Sequence, residues 1–270
     1  MPVAEHTEDV DEQPIRWRTA PGPEPERAPV VYLHGVPNSS DMWVPFLERT
    51  GGIAPDLPGF GRSAKRGDFD YSIAGYDRWL ERFLEHVSVE RFRLVVHDWG
   101  AVGLALAQRQ PERVERLVVS SAVPLVPGYR WHRIARIWRR PGLGELAMGV
   151  STRRVLRLLS REANVKPLPQ DFLDSVWRDF DQGTQRAILR LYRSAPEDAL
   201  AAAGRRLGEV QAPALVAWGE RDPYLAPRFG EAYAGALPSA QLRLVAGAGH
   251  WPWLDVPELV DEVCAFVAAS

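Results

Sequence analysis

An aspartate stands where an apolar run breaks into a helix of small residues. Phe92-Arg93-Leu94-Val95-Val96 is followed by His97-Asp98-Trp99-Gly100, then by Ala101-Val102-Gly103-Leu104-Ala105-Leu106-Ala107. The pattern reads as strand, sharp turn and helix, a geometry that holds the tip side chain over the sheet edge with free helix N–H groups close behind it. A carboxylate there suits attack on saturated carbon, giving an alkyl-enzyme ester that water then cleaves. Taken alone, Asp98 reads more simply as the N-cap of the following helix.

Three further segments change that balance. Leu33-His34-Gly35-Val36-Pro37 follows the apolar Val30-Val31-Tyr32 and precedes a helix expected over Ser39–Arg49. Beside the nucleophile, this loop could present the Val36 backbone N–H, together with that of Trp99, as an oxyanion hole. Gly219-Glu220-Arg221-Asp222-Pro223 follows the strand expected over Ala214–Trp218, and Gly247-Ala248-Gly249-His250-Trp251 follows Gln241–Val245. A late histidine on a glycine-flexed loop suits a base that activates water, and Asp222 would orient its ring. Each segment alone has an ordinary explanation as a turn; their order, nucleophile then acid then base, does not.

On these residues the chain resembles the α/β-hydrolase family, in the branch with an aspartate nucleophile, the epoxide hydrolases and haloalkane dehalogenases. Asp56-Leu57-Pro58-Gly59-Phe60-Gly61-Arg62-Ser63 extends the resemblance, which spans nearly the whole chain. It implies Asp98 as nucleophile, His250 as base, Asp222 as third member, and Val36 and Trp99 as oxyanion-hole donors. Val96 departs from the small residue usual two positions before the nucleophile.

The elements that must position these residues alternate. Strands are expected over Val3–Val10, Ile15–Thr19, Val30–Leu33, Ile53–Pro55, Phe92–Val96 and Arg116–Ser121, with helices over Ile73–Val87 and Ala101–Gln108. This predicts an α/β fold with a mostly parallel central sheet and helices on both faces, and the resemblance implies the α/β-hydrolase fold. From Pro124 to Gly204 only helical patterns occur: Trp131–Trp138, Leu143–Met148, Thr152–Leu159, Gln170–Phe180 and Gln185–Arg193. The expected organisation is a core of residues 1–123 and 205–270 interrupted by a helical cap of residues 124–204. The C-terminal helix is expected around Glu258–Ala268. Nine arginines between Arg130 and Arg161 read as a solvated helix face.

Length and composition agree with a single large packed core carrying an insertion. Of 270 residues, 46% are apolar and 25% charged, and the formal net charge of −2 gives no reason to expect nucleic acid or acidic lipid as a partner. The single cysteine, Cys264, has no internal disulfide partner and reads as a buried, inert thiol. Met1–Val10 shows no basic-then-apolar leader pattern, and no run approaches the ~20 apolar residues of a membrane helix. The expectation is a cytoplasmic monomer or homodimer with no cofactor, no metal and no membrane association.

Two leaving groups remain. An opened epoxide is an alkoxide and needs an O–H or N–H donor; a halide needs only N–H dipoles. Tyr192, in Leu189-Arg190-Leu191-Tyr192-Arg193, resembles the epoxide hydrolases' cap tyrosine. Their second tyrosine has no counterpart in Arg136–Gly142, so His132 or Trp138 would take its place. For the dehalogenases, Trp99 matches the halide-binding tryptophan, while their asparagine after His-Gly is Val36 here. The sequence reading places epoxide hydrolysis first, haloalkane dehalogenation second and a non-catalytic binding protein of the same fold third. In every case Trp99, Trp131, Trp138 and Trp251 suggest a small apolar guest.

Overall fold

The computed structural model describes residues 2–24 and 26–269. Eight strands form one sheet: β1 (Ala4–Val10), β2 (Gln13–Ala20), β3 (Val30–Leu33), β4 (Gly52–Pro55), β5 (Phe92–Asp98), β6 (Val114–Ala122), β7 (Ala214–Gly219) and β8 (Ala240–Val245). Their spatial order is β1-β2-β4-β3-β5-β6-β7-β8. β1–β2 and β2–β4 pair antiparallel, and every other pair is parallel. The sequence dictates this split. β3, β5 and β7 are unbroken buried runs, as strands covered on both faces must be, whereas β1 is a charged edge strand that exposes most of its side chains.

The covering helices are α1 (Val44–Thr50), α2 (Ile73–His86), α3 (Gly103–Arg109), α4 (Arg133–Trp138), α5 (Leu143–Gly149), α6 (Arg153–Leu159), α7 (Gln170–Asp179), α8 (Gln182–Ser194), α9 (Glu197–Ala203), α10 (Arg228–Ala236), α11 (Pro252–Asp255) and α12 (Glu258–Ala268). Two helices open through a 3-10 turn where the sequence predicts continuous α-helix. The helix expected over Ser39–Arg49 is a 3-10 turn, Ser40–Trp43, capped by the Ser39 side chain, and then α1, with Pro45 in its first turn, where a missing N–H costs nothing. The helix expected from Ala101 begins as a 3-10 turn at Trp99, because the chain must reverse within a few residues of β5.

Helices α4–α9 all lie between β6 and β7. This insertion is tied back by several polar contacts. Lys65 pairs with Asp181 at 2.8 Å, Thr184 donates to the Gly59 carbonyl at 3.1 Å, and Ser194 donates to the Tyr71 carbonyl at 2.9 Å. Helix α9, which the sequence patterns had not delineated, leans on α3 through the Gln108 amide, 2.8 Å from the Ala203 carbonyl. Cys264 is buried, and burial pushes its thiol up to about 12. Among the described residues no helix is long and apolar enough to cross a membrane.

Candidate active site

Asp98 ends β5 in a left-handed conformation, φ 49° and ψ −119°, that few non-glycine residues adopt. Its surroundings over-determine it. A Cβ on Gly100 would stand 2.2 Å from the Leu33 carbonyl oxygen, and one on Gly35 would stand 2.4 Å from the Asp98 Cβ, so both neighbours must be glycine. The Val36 N–H donates to Asp98 Oδ1 at 2.8 Å, and the Trp99 backbone N–H also stabilises the carboxylate. Burial pushes the Asp98 carboxyl above its usual range, opposed by His250 and by these two N–H groups.

His250 completes the arrangement from the far side of the sheet. Its Nδ1 lies 2.9 Å from Asp222 Oδ2, and the other Asp222 oxygen accepts the Tyr224 and Leu225 N–H groups at 2.9 Å each. An ionised carboxylate only accepts, so Nδ1 carries the proton and Nε2 presents a lone pair. That Nε2 stands 3.8 Å from Asp98 Oδ2, too far for a hydrogen bond. Burial favours neutral imidazole, but Asp222 and Asp98 outweigh it, and the net direction is upward. His97, which the sequence reading had not singled out, holds the loop from beneath, its Nε2 3.0 Å from the His250 carbonyl. Burial keeps its ring neutral, well below the usual histidine range.

Asp98 and His250 open onto an apolar cavity of about 130 Å³. Of the residues expected at the substrate, Val36, His132, Trp138, Tyr192 and Trp251 all line it. Tyr192 is buried, and desolvation together with the Asp98 charge holds its phenol protonated, well above its ordinary range. Desolvation pulls His132 down to about 4, so its ring is neutral. The His132 Nδ1 accepts the Ala135 N–H at 3.4 Å, which leaves Nε2–H as a donor. Trp99, which the dehalogenase resemblance gives as a halide donor, is buried behind Tyr192. The Trp99 side chain is not part of the cavity lining; it packs edge-to-face on Tyr192, ring centroids 5.1 Å apart. Its indole N–H neighbours the Tyr192 hydroxyl without a hydrogen bond of normal geometry. Trp131 lines the cavity, but its N–H is committed to the Ala195 carbonyl at 3.0 Å.

The sequence offered no handle on three other lining residues. Asn38 is 2% exposed, and both its amide atoms lack a partner. Tyr129 has an unpartnered hydroxyl, and Tyr224 packs edge-to-face on His250 with centroids 5.2 Å apart. Asn38 lies two residues beyond the position where the asparagine was sought, which is the one signal that could have pointed to it. Among the described residues no group of three or more His, Cys, Asp or Glu is placed to hold a metal ion.

Comparison with known proteins is consistent with this geometry. The family model described as alpha/beta hydrolase fold matches residues 28–257. A haloalkane dehalogenase of Mycolicibacterium paratuberculosis is 32% identical over 93% of this chain and 84% of its own length. Haloalkane dehalogenase 1 of Mycobacterium bovis is also 32% identical, over 83% of this chain and 79% of its own. The crystal structure of haloalkane dehalogenase DbeA from Bradyrhizobium elkani superposes with a TM-score of 0.85 over 99% of this chain and 98% of that one, at 24% identity, a likeness of fold.

Proposed function

The chain belongs to the α/β-hydrolase fold family, in its haloalkane dehalogenase-like branch, and from that premise we propose that it hydrolyses the carbon–halogen bond of a small apolar haloalkane. The observation that carries this reading is the gap between Asp98 Oδ2 and His250 Nε2. At 3.8 Å, beside an apolar cavity, it leaves the carboxylate without a hydrogen bond to the base and the base free for water.

In the first step an Asp98 oxygen displaces the halide from saturated carbon, forming an alkyl ester while the C–X electron pair leaves with X⁻. Asn38 lines the cavity, and in this reading its otherwise unpartnered amide N–H receives that charge. In the second step water adds to the ester Cγ as His250 Nε2 takes its proton, with Asp222 stabilising the imidazolium. The oxyanion forms on the oxygen already held by the Val36 N–H. Collapse releases the alcohol and restores the carboxylate; the net change is RX + H₂O → ROH + H⁺ + X⁻.

A second reading is supported by a specific observation. The protonated, buried Tyr192 hydroxyl and the neutral His132 N–H both face the cavity, the pair of donors that an opening epoxide requires. The relatives favour the halide over the epoxide that the sequence alone placed first. A panel of bromoalkanes and aryl or alkyl epoxides, scored for bromide and for diol, decides between them. Bromide release from the natural protein, absent in Asp98→Ala, is the expected result. Diol formation without bromide would transfer the assignment to epoxide hydrolysis.

A further inference from the structure

The three charged members of the site are not held by the same parts of the molecule. Asp98 is fixed by Val36 and Asp222 by Tyr224 and Leu225, all in loops that follow sheet strands. The His250 loop is held by the insertion as well as by His97 and Asp222. The His250 backbone N–H donates to the Ala163 carbonyl at 2.7 Å. The next residue is clasped on both sides by one amide: Trp251 N–H donates to Asn164 Oδ1 at 3.0 Å, and Asn164 Nδ2 donates to the Trp251 carbonyl at 2.8 Å. The preceding residue is bound to a buried carboxylate that the same segment shares. Asp255 accepts from Gly249 at 2.8 Å, from Val165 at 3.1 Å and from Lys166 at 2.7 Å. Lys166 Nζ then returns to the Asp255 carbonyl at 2.7 Å.

The fit is close: a Cβ on Gly249 would meet the Ala163 carbonyl oxygen at 2.4 Å and the Asn164 Cα at 2.6 Å. Asn164 is 8% exposed and Asp255 3% exposed, so water does not readily replace a lost bond. Neither residue lines the cavity.

We propose that Asn164, with Asp255 as its anchor, is a positioning residue for His250 and acts on ester hydrolysis alone. The proposal rests on the two-step reading above. Attack on saturated carbon uses Asp98, whose supports do not include residues 163–166, whereas attack by water needs Nε2 at one place. Misplacing a reacting group by about 1 Å costs on the order of a hundredfold. Loosening the clasp therefore slows the second step and spares the first.

The test uses the full-length protein and the bromoalkane that it consumes fastest. Asn164→Ala should alkylate at a rate within about threefold of the natural protein and hydrolyse the ester at least about tenfold more slowly. Intact-protein mass spectrometry at steady state should then show the alkyl increment, which the natural protein clears. Asn164→Ser keeps a side-chain oxygen able to accept or donate and buries no charge, so it is the milder variant beside alanine, and its adduct level should fall between those of asparagine and alanine. Unchanged turnover without adduct, or equal slowing of both steps, overturns the proposal. His250→Gln separates this from a failure of the underlying reading. An adduct in that variant with none in either Asn164 variant removes the positioning role alone. No adduct in His250→Gln on a substrate that the natural protein consumes removes the two-step mechanism, and this proposal with it.

Discussion

The charges of Asp98 and His250 are coupled across 3.8 Å, and in the two-step mechanism proposed above that coupling changes during turnover. In the resting protein burial lowers the affinity of His250 for a proton, while Asp222 and Asp98 raise it to a higher net value. Esterification removes the Asp98 charge, so the imidazole of the intermediate deprotonates at lower pH than that of the resting protein. Hydrolysis needs the neutral ring and is lost as pH falls through that pKa. Single-turnover ester hydrolysis should therefore show an acid limb below the pH at which His250 titrates by NMR in the substrate-free protein. Coincident values would mean that Asp98 does not influence the base. Tyr192 separates the two leaving groups. Tyr192→Phe removes a donor needed only by an alkoxide, and should slow alkylation by an epoxide on the order of a hundredfold or more. Bromoalkane alkylation in the same variant should stay within about threefold of the natural rate, under ~1 kcal/mol; a large loss there would place the hydroxyl on the halide. Asp98, Asp222 and His250 were legible in the sequence because each stands on a glycine- or proline-marked loop after a strand. Asn38 and Tyr129 were not, since only the fold brings these residues into the lining of one cavity with Asp98 and His250.

Among the elements, the loop after β3 and the turn after β5 act as a fitted pair. Gly35 has no unusual φ, so its requirement is purely steric: an added methyl meets Asp98 Cβ at 2.4 Å and Oδ1 at 2.6 Å. Gly35→Ala should fold and bind substrate but lose about a hundredfold or more in alkylation, because the carboxylate must move. Gly149→Ala, where an added Cβ meets nothing within 4 Å at the end of α5, is the control and should keep full activity. Rapid-quench alkylation of both variants checks this, and an active Gly35→Ala would show that the loop can yield. The strands and α2 were readable in advance because β5 carries the apolar Leu94-Val95-Val96 before its turn and α2 carries its apolar residues at helical spacing. α9 and α10 were not, since Glu197–Ala203 and Arg228–Ala236 are built largely from alanine and glycine, whose small side chains mark no clear face. The 3-10 entry to α3 is set by the tight turn behind Asp98, a tertiary demand without a local signature.

At the scale of the molecule, a sheet buried on both faces supports a site assembled from four loops and one inserted helical segment. The inserted segment was legible as a run of helical patterns between Pro124 and Gly204; its hold on the His250 loop was not, because the two are 87 residues apart in sequence. The left-handed backbone of Asp98 and its buried carboxylate bear on the endurance of the whole protein. Strain of this kind costs about 1–3 kcal/mol. A carboxyl whose folded pKa is raised contributes stability at low pH that is lost as pH rises through it, so at neutral pH the charge weakens the fold. Asparagine keeps the acceptor for the Val36 N–H, tolerates positive φ and carries no charge. Asp98→Asn should thus be inactive and melt higher, by roughly 2–4 °C for each 1 kcal/mol gained in a domain of this size. Scanning calorimetry at pH 7 gives the answer, and an unchanged or lower Tm would mean that the carboxylate is well accommodated. A rise would make the nucleophile a stability–activity trade-off written into one residue: selection for robustness alone would discard it, and its presence records selection for turnover.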